Sequence, residues 1–169
     1  MNSGKIFEED FRLSCDHDKL VWDRFYDTQG GFSGVATICD FIVYRRPNIF
    51  YFELKSYDRS SIPIQAVRPA QLKGLLRKDQ YDGVFAGVIC EYRLVSRTVC
   101  VPIQAVEDRR LGERKTLSLD WALRYGIEVA ATKKITRSQY KIRKLLDDLD
   151  QGGFINGNQN GENDSRGKN

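Results

Sequence analysis

The sequence is short of the residues that build the commonest metal and redox sites. It has one histidine, His17, and its four cysteines form no CxxC pair. A structural zinc site needs clustered cysteine and histidine ligands, and a two-histidine catalytic centre needs a second histidine, so we expect neither. Cys39, Cys90 and Cys100 lie in apolar, strand-like runs and are interpreted as small core residues.

Long hydrophobic runs are also absent. No apolar stretch approaches the roughly 18–20 residues that a membrane-spanning helix requires. The opening segment, MNSGKIFEED, is acidic and helix-like and does not resemble a secretion signal. We therefore expect no membrane partner and a location in the cytoplasm of the cell that makes the protein.

The charge of the chain is unevenly distributed. The whole sequence has a formal net charge of +4. Residues 147–169 hold five acidic and two basic residues, which leaves 25 basic and 18 acidic residues in residues 1–146. A basic body is consistent with a polyanionic partner such as nucleic acid, although many basic proteins bind none.

Length and composition predict one folded domain followed by a tail. A chain of 169 residues is long enough to bury a sizeable core in one domain. Beyond Ile155 the sequence is rich in glycine and asparagine and contains no apolar residue, so it cannot bury enough surface to order itself. We predict a domain over residues 1–150 and a disordered tail over residues 151–169.

The apolar pattern predicts alternating helices and strands. Helices are expected at residues 3–15, capped by Ser3, from Pro69 to about Lys78, from Ser118 to before Gly126, and from Thr136 to about Leu149. Strands are expected at residues 35–44, 49–55, 83–92, 94–101 and 127–131, with an irregular segment at residues 18–34. This order predicts an α/β fold with a mixed central β-sheet flanked by helices.

Three charged residues, Asp40, Glu53 and Lys55, interrupt the apolar strands of the predicted hairpin. Glu53 and Lys55 are two positions apart and therefore share one face of their strand. If the turn is centred between Arg46 and Pro47, Asp40 lies opposite Glu53 with Cβ atoms about 4.5–5.5 Å apart. An unpaired buried charge costs several kcal/mol, so these groups need partners.

Two adjacent carboxylates repel each other unless a cation lies between them. Lys55 can neutralise one, and a hard divalent cation satisfies both, because Mg²⁺ typically takes one or two protein carboxylates together with waters and phosphate oxygens. Such a metal polarises a phosphodiester, while Lys55 orients a water or stabilises charge on phosphorus. The residue types alone leave open a second interpretation, a structural ion-pair network at a sheet edge.

The spacing D-x12-E-x-K on a hairpin resembles the PD-(D/E)XK nuclease superfamily, with Cys39 in place of the usual proline. Three stretches resemble the RecU-type Holliday junction resolvases within it: SGKIFEEDF, ELKSYDRSSIPIQAVRPAQLKGL and DGVFAGVICEY. The resemblance covers residues 3–125. The segment at residues 18–37 is much shorter than the stalk of larger RecU proteins, which indicates a compact, phage-encoded version acting in the host cytoplasm.

The resemblance implies a restriction-endonuclease-like core that resolves four-way DNA junctions by paired nicks. It implies Mg²⁺, or Mn²⁺ in its place, as cofactor, branched DNA as partner, and a homodimer because two opposed strands must be cut. The implied metal ligands are Glu8, Asp40, Glu53 and the carbonyl of Leu54. Lys55 would activate the attacking water, and Gln71 would position that water or Lys55.

Several basic residues are candidates for contact with DNA phosphates. They are Arg45, Arg46, Lys73, Arg77, Lys78, Lys133, Lys134, Arg137 and Lys141. The alternative is that these charges are solvated surface residues. Two other functions also stay open: a restriction-like or repair nuclease acting on duplex or flapped DNA, and a junction-binding protein without catalysis.

Overall fold

The computed structural model describes residues 2–25 and 37–155. The helices are α1 (Ser3–His17), α2 (Pro69–Asp79), α3 (Ile103–Leu111), α4 (Leu119–Tyr125) and α5 (Ile142–Gln151). The strands are β1 (Val21–Arg24), β2 (Phe41–Arg45), β3 (Asn48–Tyr57), β4 (Ser61–Pro63), β5 (Val84–Tyr92), β6 (Arg97–Pro102), β7 (Thr116–Ser118), β8 (Ile127–Glu128), β9 (Ala131–Lys133) and β10 (Ser138–Tyr140). In these parts of the chain, no helix has both the length and the apolar character needed to cross a bilayer.

A six-stranded mixed sheet forms the centre of the fold, in the order β1-β2-β3-β5-β6-β8. Strands β3 and β5 are parallel, and α2 lies between them in the chain, whereas the other neighbours in the sheet pair antiparallel. The pairs β9–β10 and β4–β7 form separate two-stranded sheets. The mixed sheet with its flanking helices confirms the predicted fold class.

Side chains on the two faces of the sheet enter two separate apolar clusters, because successive strand residues point to opposite faces. On one face, Phe11 of α1 and Leu145 of α5 pack against Phe52 of β3. On the other face, Leu75 of α2 packs with Val88 of β5. All four cysteines are buried and none forms a disulfide, which confirms the interpretation of Cys39, Cys90 and Cys100 as core residues.

The register of the β2–β3 hairpin is the predicted one. Phe41 pairs with Phe52 at one end, and Arg45 pairs with Asn48 at the turn. The peptide bond between Arg46 and Pro47 in this turn is cis. Strand β2 begins only at Phe41, so the expectation of a strand from residue 35 was too long, and residues 35 and 36 lie outside the described residues.

Three sequence-based predictions along the N-terminal half and the middle of the chain were wrong. Val21–Arg24 forms strand β1 inside the segment that was expected to be irregular, because its backbone pairs with β2. The side chain of Asn2, rather than that of Ser3, caps α1 by accepting a hydrogen bond from the backbone N–H of Gly4. Helix α3 was not predicted at all, and a 3-10 turn precedes β6, which begins at Arg97 instead of residue 94.

The helix expected from Thr136 begins instead at Ile142. Residues 131–133 and 138–140 pair as the antiparallel strands β9 and β10. The apolar residues at helical spacing, Ile142, Leu145, Leu146 and Leu149, occur only after this hairpin, and all four are buried. The turn of the β9–β10 hairpin contains only one apolar residue, and one residue cannot form the apolar spacing that indicates a helix.

The folded part of the chain extends beyond residue 150. Helix α5 ends at Gln151, and Ile155 is only 2% exposed because it packs into the same cluster as α1 and α5. The boundary predicted at residue 150 was thus a few residues early. Residues 156–169, most of the predicted tail, lie outside the described residues, and their disorder stays a prediction.

Candidate active site

Asp40 lies directly before β2 and is held against the neighbouring strand by two hydrogen bonds. Its carboxylate oxygen Oδ2 accepts a hydrogen bond of 2.7 Å from the backbone N–H of Leu54. Its own backbone N–H donates to the carbonyl of Phe52 at 3.0 Å. The two partners flank Glu53 in β3, so the hairpin brings Asp40 beside Glu53 as the spacing predicted.

Glu53 is 1% exposed and is held at one of its two carboxylate oxygens. Oε1 accepts a hydrogen bond from Lys55 Nζ at 2.5 Å and another from Gln71 Nε2 at 2.7 Å. Gln71, also 1% exposed, reaches across from α2 and is fixed by accepting a bond of 3.1 Å from the backbone N–H of Arg68. Asp40, Glu53, Lys55 and Gln71 therefore form one contiguous group.

The other carboxylate oxygen of Glu53, Oε2, is buried and has no hydrogen-bond partner among the described residues. An unpaired carboxylate oxygen in an apolar environment is costly, and a hard cation is the kind of partner that relieves this cost. No cluster of three or more His, Cys, Asp or Glu side chains within residues 2–25 and 37–155 could hold a metal ion. The fit to a metal therefore rests on two carboxylates, Asp40 and Glu53, which is a donor set that Mg²⁺ commonly uses.

The electrostatics of the pair favour the same interpretation. Burial and the neighbouring Glu53 carboxylate raise the pKa of Asp40 to about 7, against the opposing effects of the Leu54 N–H and Lys55. Burial also raises the pKa of Glu53, although Lys55, Gln71 and Arg68 act to lower it. Both carboxyl groups thus resist ionising together, which is the situation that a bound dication would reverse.

Glu8 lies near this group but is engaged by another residue. Its carboxylate accepts a hydrogen bond from Arg24 of β1 and forms an ion pair with it. The charge of Glu8 contributes to the raised pKa of Asp40, which places Glu8 within electrostatic range of the centre. Its role as a metal ligand, like that of the Leu54 carbonyl, stays a prediction.

Two arginines beside the centre were not predicted from the sequence. Arg24 was missed because it lies in a strand that was expected to be irregular. Arg68 is an exposed residue at the N-cap of α2, and its charge acts to lower the pKa of Glu53. The Arg68-Pro69 pair that opens the helix was a signal for this position, because proline at the first turn fixes where the helix begins.

The predicted DNA-contact residues fall into three separate groups. The first, Arg45 and Arg46, lies at the β2–β3 turn, at the opposite end of β3 from Lys55. Arg45 forms ion pairs with Asp147 and Asp150 of α5, so the structure gives it a role in holding that helix. Neither arginine is brought to the candidate centre, and a DNA contact by them stays a prediction.

The second group is on α2. Lys73 and Arg77 are exposed and line a cavity of about 870 Å³ between α2 and α3. Lys78 is half-buried, and its ammonium lies 5.8 Å from the centre of the Tyr51 ring in a cation–π arrangement. A polyanion could reach Lys73 and Arg77 from solvent more readily than Lys78.

The third group lies on and after the β9–β10 hairpin. Lys133, Lys134 and Arg137 are exposed, whereas Lys141 is half-buried and directly precedes α5. Of these four residues only Arg137 and Lys141 were expected on a helix, and Arg137 lies instead at the end of the β9–β10 turn. The surface is open to a large anionic partner.

Comparisons with known proteins place this geometry on a known fold. No family model matches the chain. In sequence, the chain is 24% identical over 169 residues to the SPbeta prophage-derived uncharacterized protein YotM of Bacillus subtilis (strain 168), covering 88% of this chain and 87% of that protein. In structure, it is similar to the Holliday junction resolvase Hjc of Archaeoglobus fulgidus, with a TM-score of 0.54, 16% identity, and coverage of 74% of this chain and 95% of that chain. The fold is restriction-endonuclease-like.

The structural likeness confirms the predicted core at the level of fold. It is a likeness to an archaeal resolvase, and the RecU-type assignment made from the sequence stays a prediction. The likeness to a prophage-derived protein is in keeping with the expected phage origin, which also stays a prediction.

Proposed function

We propose that the protein is a Mg²⁺-dependent endonuclease that resolves four-way DNA junctions. The observation that carries the proposal is the pairing of the half-buried Asp40 with the buried Glu53, where Lys55 is bonded to one Glu53 oxygen and the other has no partner in the described chain. The pair lies on a fold shared with a protein named as a Holliday junction resolvase. The combination of site and fold favours phosphodiester hydrolysis over a purely structural ion-pair network.

Asp40 and Glu53, with the Leu54 carbonyl, are the proposed metal ligands, and Glu8, which is ion-paired with Arg24, is a further acidic group beside them. A bound Mg²⁺, or Mn²⁺ in its place, would polarise the phosphodiester and lower the pKa of a coordinated water. Lys55 is placed at the edge of the Glu53 carboxylate, where its ammonium can orient the attacking water and stabilise negative charge on the phosphate. Gln71 holds the Glu53 carboxylate in one orientation.

The proposed substrate requires two copies of the chain. A four-way junction has two-fold symmetry, and its resolution needs one cut in each of two opposed strands. Each chain carries one Asp40–Glu53–Lys55 centre, so a homodimer would supply the pair of cuts. Selection of the junction would depend on its shape and backbone charge, because phosphate contacts position a protein without reading sequence.

The test compares an immobile four-way junction, a flapped duplex and a linear duplex of the same sequence, each with Mg²⁺, with Mn²⁺ and with EDTA. We expect nicking of the junction with either metal, at opposed strands, and none with EDTA. Equal cleavage of linear or flapped DNA would favour a restriction-like or repair nuclease. Binding of the junction with no nicking in either metal would favour a non-catalytic binding protein.

A further inference from the structure

The β9–β10 hairpin carries an exposed apolar residue at its tip. Its turn spans residues 134–137 and is closed by a backbone hydrogen bond of 2.7 Å from the Lys134 N–H to the Arg137 carbonyl. Ile135 in this turn is fully exposed, with a relative accessibility of 102%. Lys133, Lys134 and Arg137 surround it, and residues 131–141 contain no acidic residue.

The base of the hairpin is fixed to α1. Asp10, which is only 4% exposed, accepts hydrogen bonds from the backbone N–H of Ser138 at 2.9 Å and from the Arg137 guanidinium at 3.1 Å. The hydroxyl oxygen of Ser14 accepts a further bond of 2.9 Å from the backbone N–H of Tyr140. A buried carboxylate and a buried hydroxyl thus hold the projecting turn on a rigid support.

The hairpin is held at the end of the sheet that carries the candidate active site. The Tyr140 hydroxyl donates a hydrogen bond of 3.0 Å to Glu91 of β5. The same carboxylate accepts a hydrogen bond from the hydroxyl of Ser56, the residue directly after Lys55. Two hydrogen bonds therefore connect β10 to the end of β3 that carries Lys55, on the face of the sheet opposite to the Glu53 and Lys55 side chains, because successive strand residues point to opposite faces.

An exposed branched apolar side chain contributes nothing to the core and has an unfavourable contact with water. Beside several cations it matches a recurring arrangement in DNA-binding proteins, in which an apolar wedge enters between base pairs while lysine or arginine contacts the neighbouring phosphates. Unstacking a base step for such an insertion costs free energy. This cost is least where a base pair has already lost a stacking neighbour, as at an open branch point.

We propose that the β9–β10 hairpin inserts Ile135 between base pairs at the branch point of junction DNA, with Lys133 and Lys134 on the flanking phosphates. The inference takes its substrate from the proposed function. It concerns how the DNA is held and opened, and it does not depend on the metal-binding carboxylates.

The test uses a four-way junction with 2-aminopurine beside the branch point, mixed with the full-length protein in EDTA. The fluorescence of this base rises when it is unstacked. We expect wild-type protein to raise the fluorescence and Ile135→Ser to lose at least half of that rise. Leu111→Ser is the matched control, because Leu111 is an apolar residue that is 68% exposed on α3, and it should behave as wild type.

A fluorescence rise that is unchanged with Ile135→Ser, or no fluorescence rise with wild-type protein, would overturn the proposal that Ile135 inserts as a wedge. Thermal unfolding of each variant checks the fold, which should be unaffected because both side chains lie in solvent. Junction cleavage with Mg²⁺ is measured in parallel. A rise that depends on Ile135 without any cleavage supports the wedge and contradicts the nuclease proposal, whereas cleavage with no such rise contradicts the wedge alone.

Discussion

Asp40 accepts a hydrogen bond of 2.7 Å from the backbone N–H of Leu54, the residue between Glu53 and Lys55. This contact fixes one carboxylate beside the other across the hairpin. An asparagine oxygen can accept the same bond, so Asp40→Asn removes the charge while keeping the hydrogen bond. The variant therefore separates the electrostatic role of Asp40 from its structural role.

Without metal, Asp40→Asn should be more stable than wild type at pH 8, and the difference should grow as the pH rises toward about 7 and then level off. The pKa of Asp40 is about 7 in the folded protein against an ordinary value of 3.8. Between these values the folded state binds more protons than the unfolded state, so the contribution of Asp40 to the free energy of unfolding falls with rising pH and levels off above about pH 7. Asparagine has no such dependence.

Urea unfolding in EDTA at pH 5, 6, 7 and 8 measures this difference. Asp82→Asn, at an exposed position before β5, is the matched control and should show no comparable trend. A gap between wild type and Asp40→Asn that narrows toward pH 8 would contradict the raised pKa of Asp40.

Added Mg²⁺ should raise the melting temperature of wild-type protein, and more at pH 8 than at pH 6. A ligand that binds only the folded state stabilises it, and protons compete with the metal for Asp40. Asp40→Asn should show a smaller shift at both pH values, because one ligand has lost its charge. Differential scanning fluorimetry with a Mg²⁺ titration gives the comparison, and equal shifts in the two proteins would exclude Asp40 as a ligand.

Gln71→Ala should slow junction cleavage about 10–100-fold, the range typical of residues that orient a metal ligand. The change removes the 2.7 Å hydrogen bond to the buried Glu53 carboxylate and should also cost about 1–3 kcal/mol of stability. Gln80→Ala, at the exposed C-cap residue that follows α2, serves as control. Single-turnover cleavage and urea unfolding provide the two readouts. Cleavage by Gln71→Ala at the wild-type rate would show that Gln71 has no role in catalysis.

Replacing both Lys133 and Lys134 with alanine should weaken junction binding in a salt-dependent way. Each phosphate that a lysine no longer neutralises reduces the slope of log K against log salt by about 0.9, so the double variant should have a slope smaller by up to about 2. Lys144→Ala is the control, because Lys144 is already ion-paired with Asp148 at 2.6 Å. Binding titrations at several salt concentrations measure this slope. An unchanged slope of log K against log salt would mean that neither lysine binds DNA.

The hairpin and its site were predictable because their signals are local. Two β-branched and aromatic runs around a short turn fix a register, and that register alone brings Asp40 beside Glu53. Gln71 was found only through the family resemblance, since its hydrogen bond to Glu53 joins residues 18 positions apart on different elements.

The remaining features depend on long-range interactions that one sequence does not reveal. Strand β1 exists because Val21 and its neighbours pair with β2, which follows only after the sixteen residues 25–40. The β9–β10 hairpin is held by Asp10 and Ser14, more than a hundred residues away in the chain. Nothing in the local pattern of residues 131–140 signals those partners, so the residues from Thr136 onward were interpreted as a helix.

Single-turnover cleavage of an immobile four-way junction by wild-type and Asp40→Asn protein, at saturating Mg²⁺ and protein, tests the central claim most directly. We expect wild type to nick opposed strands and Asp40→Asn to bind the junction but cleave it at least about a hundredfold more slowly, the scale of losing one group that stabilises the transition state. Cleavage by Asp40→Asn at the wild-type rate would contradict the assignment of the Asp40–Glu53 pair as the metal-binding centre.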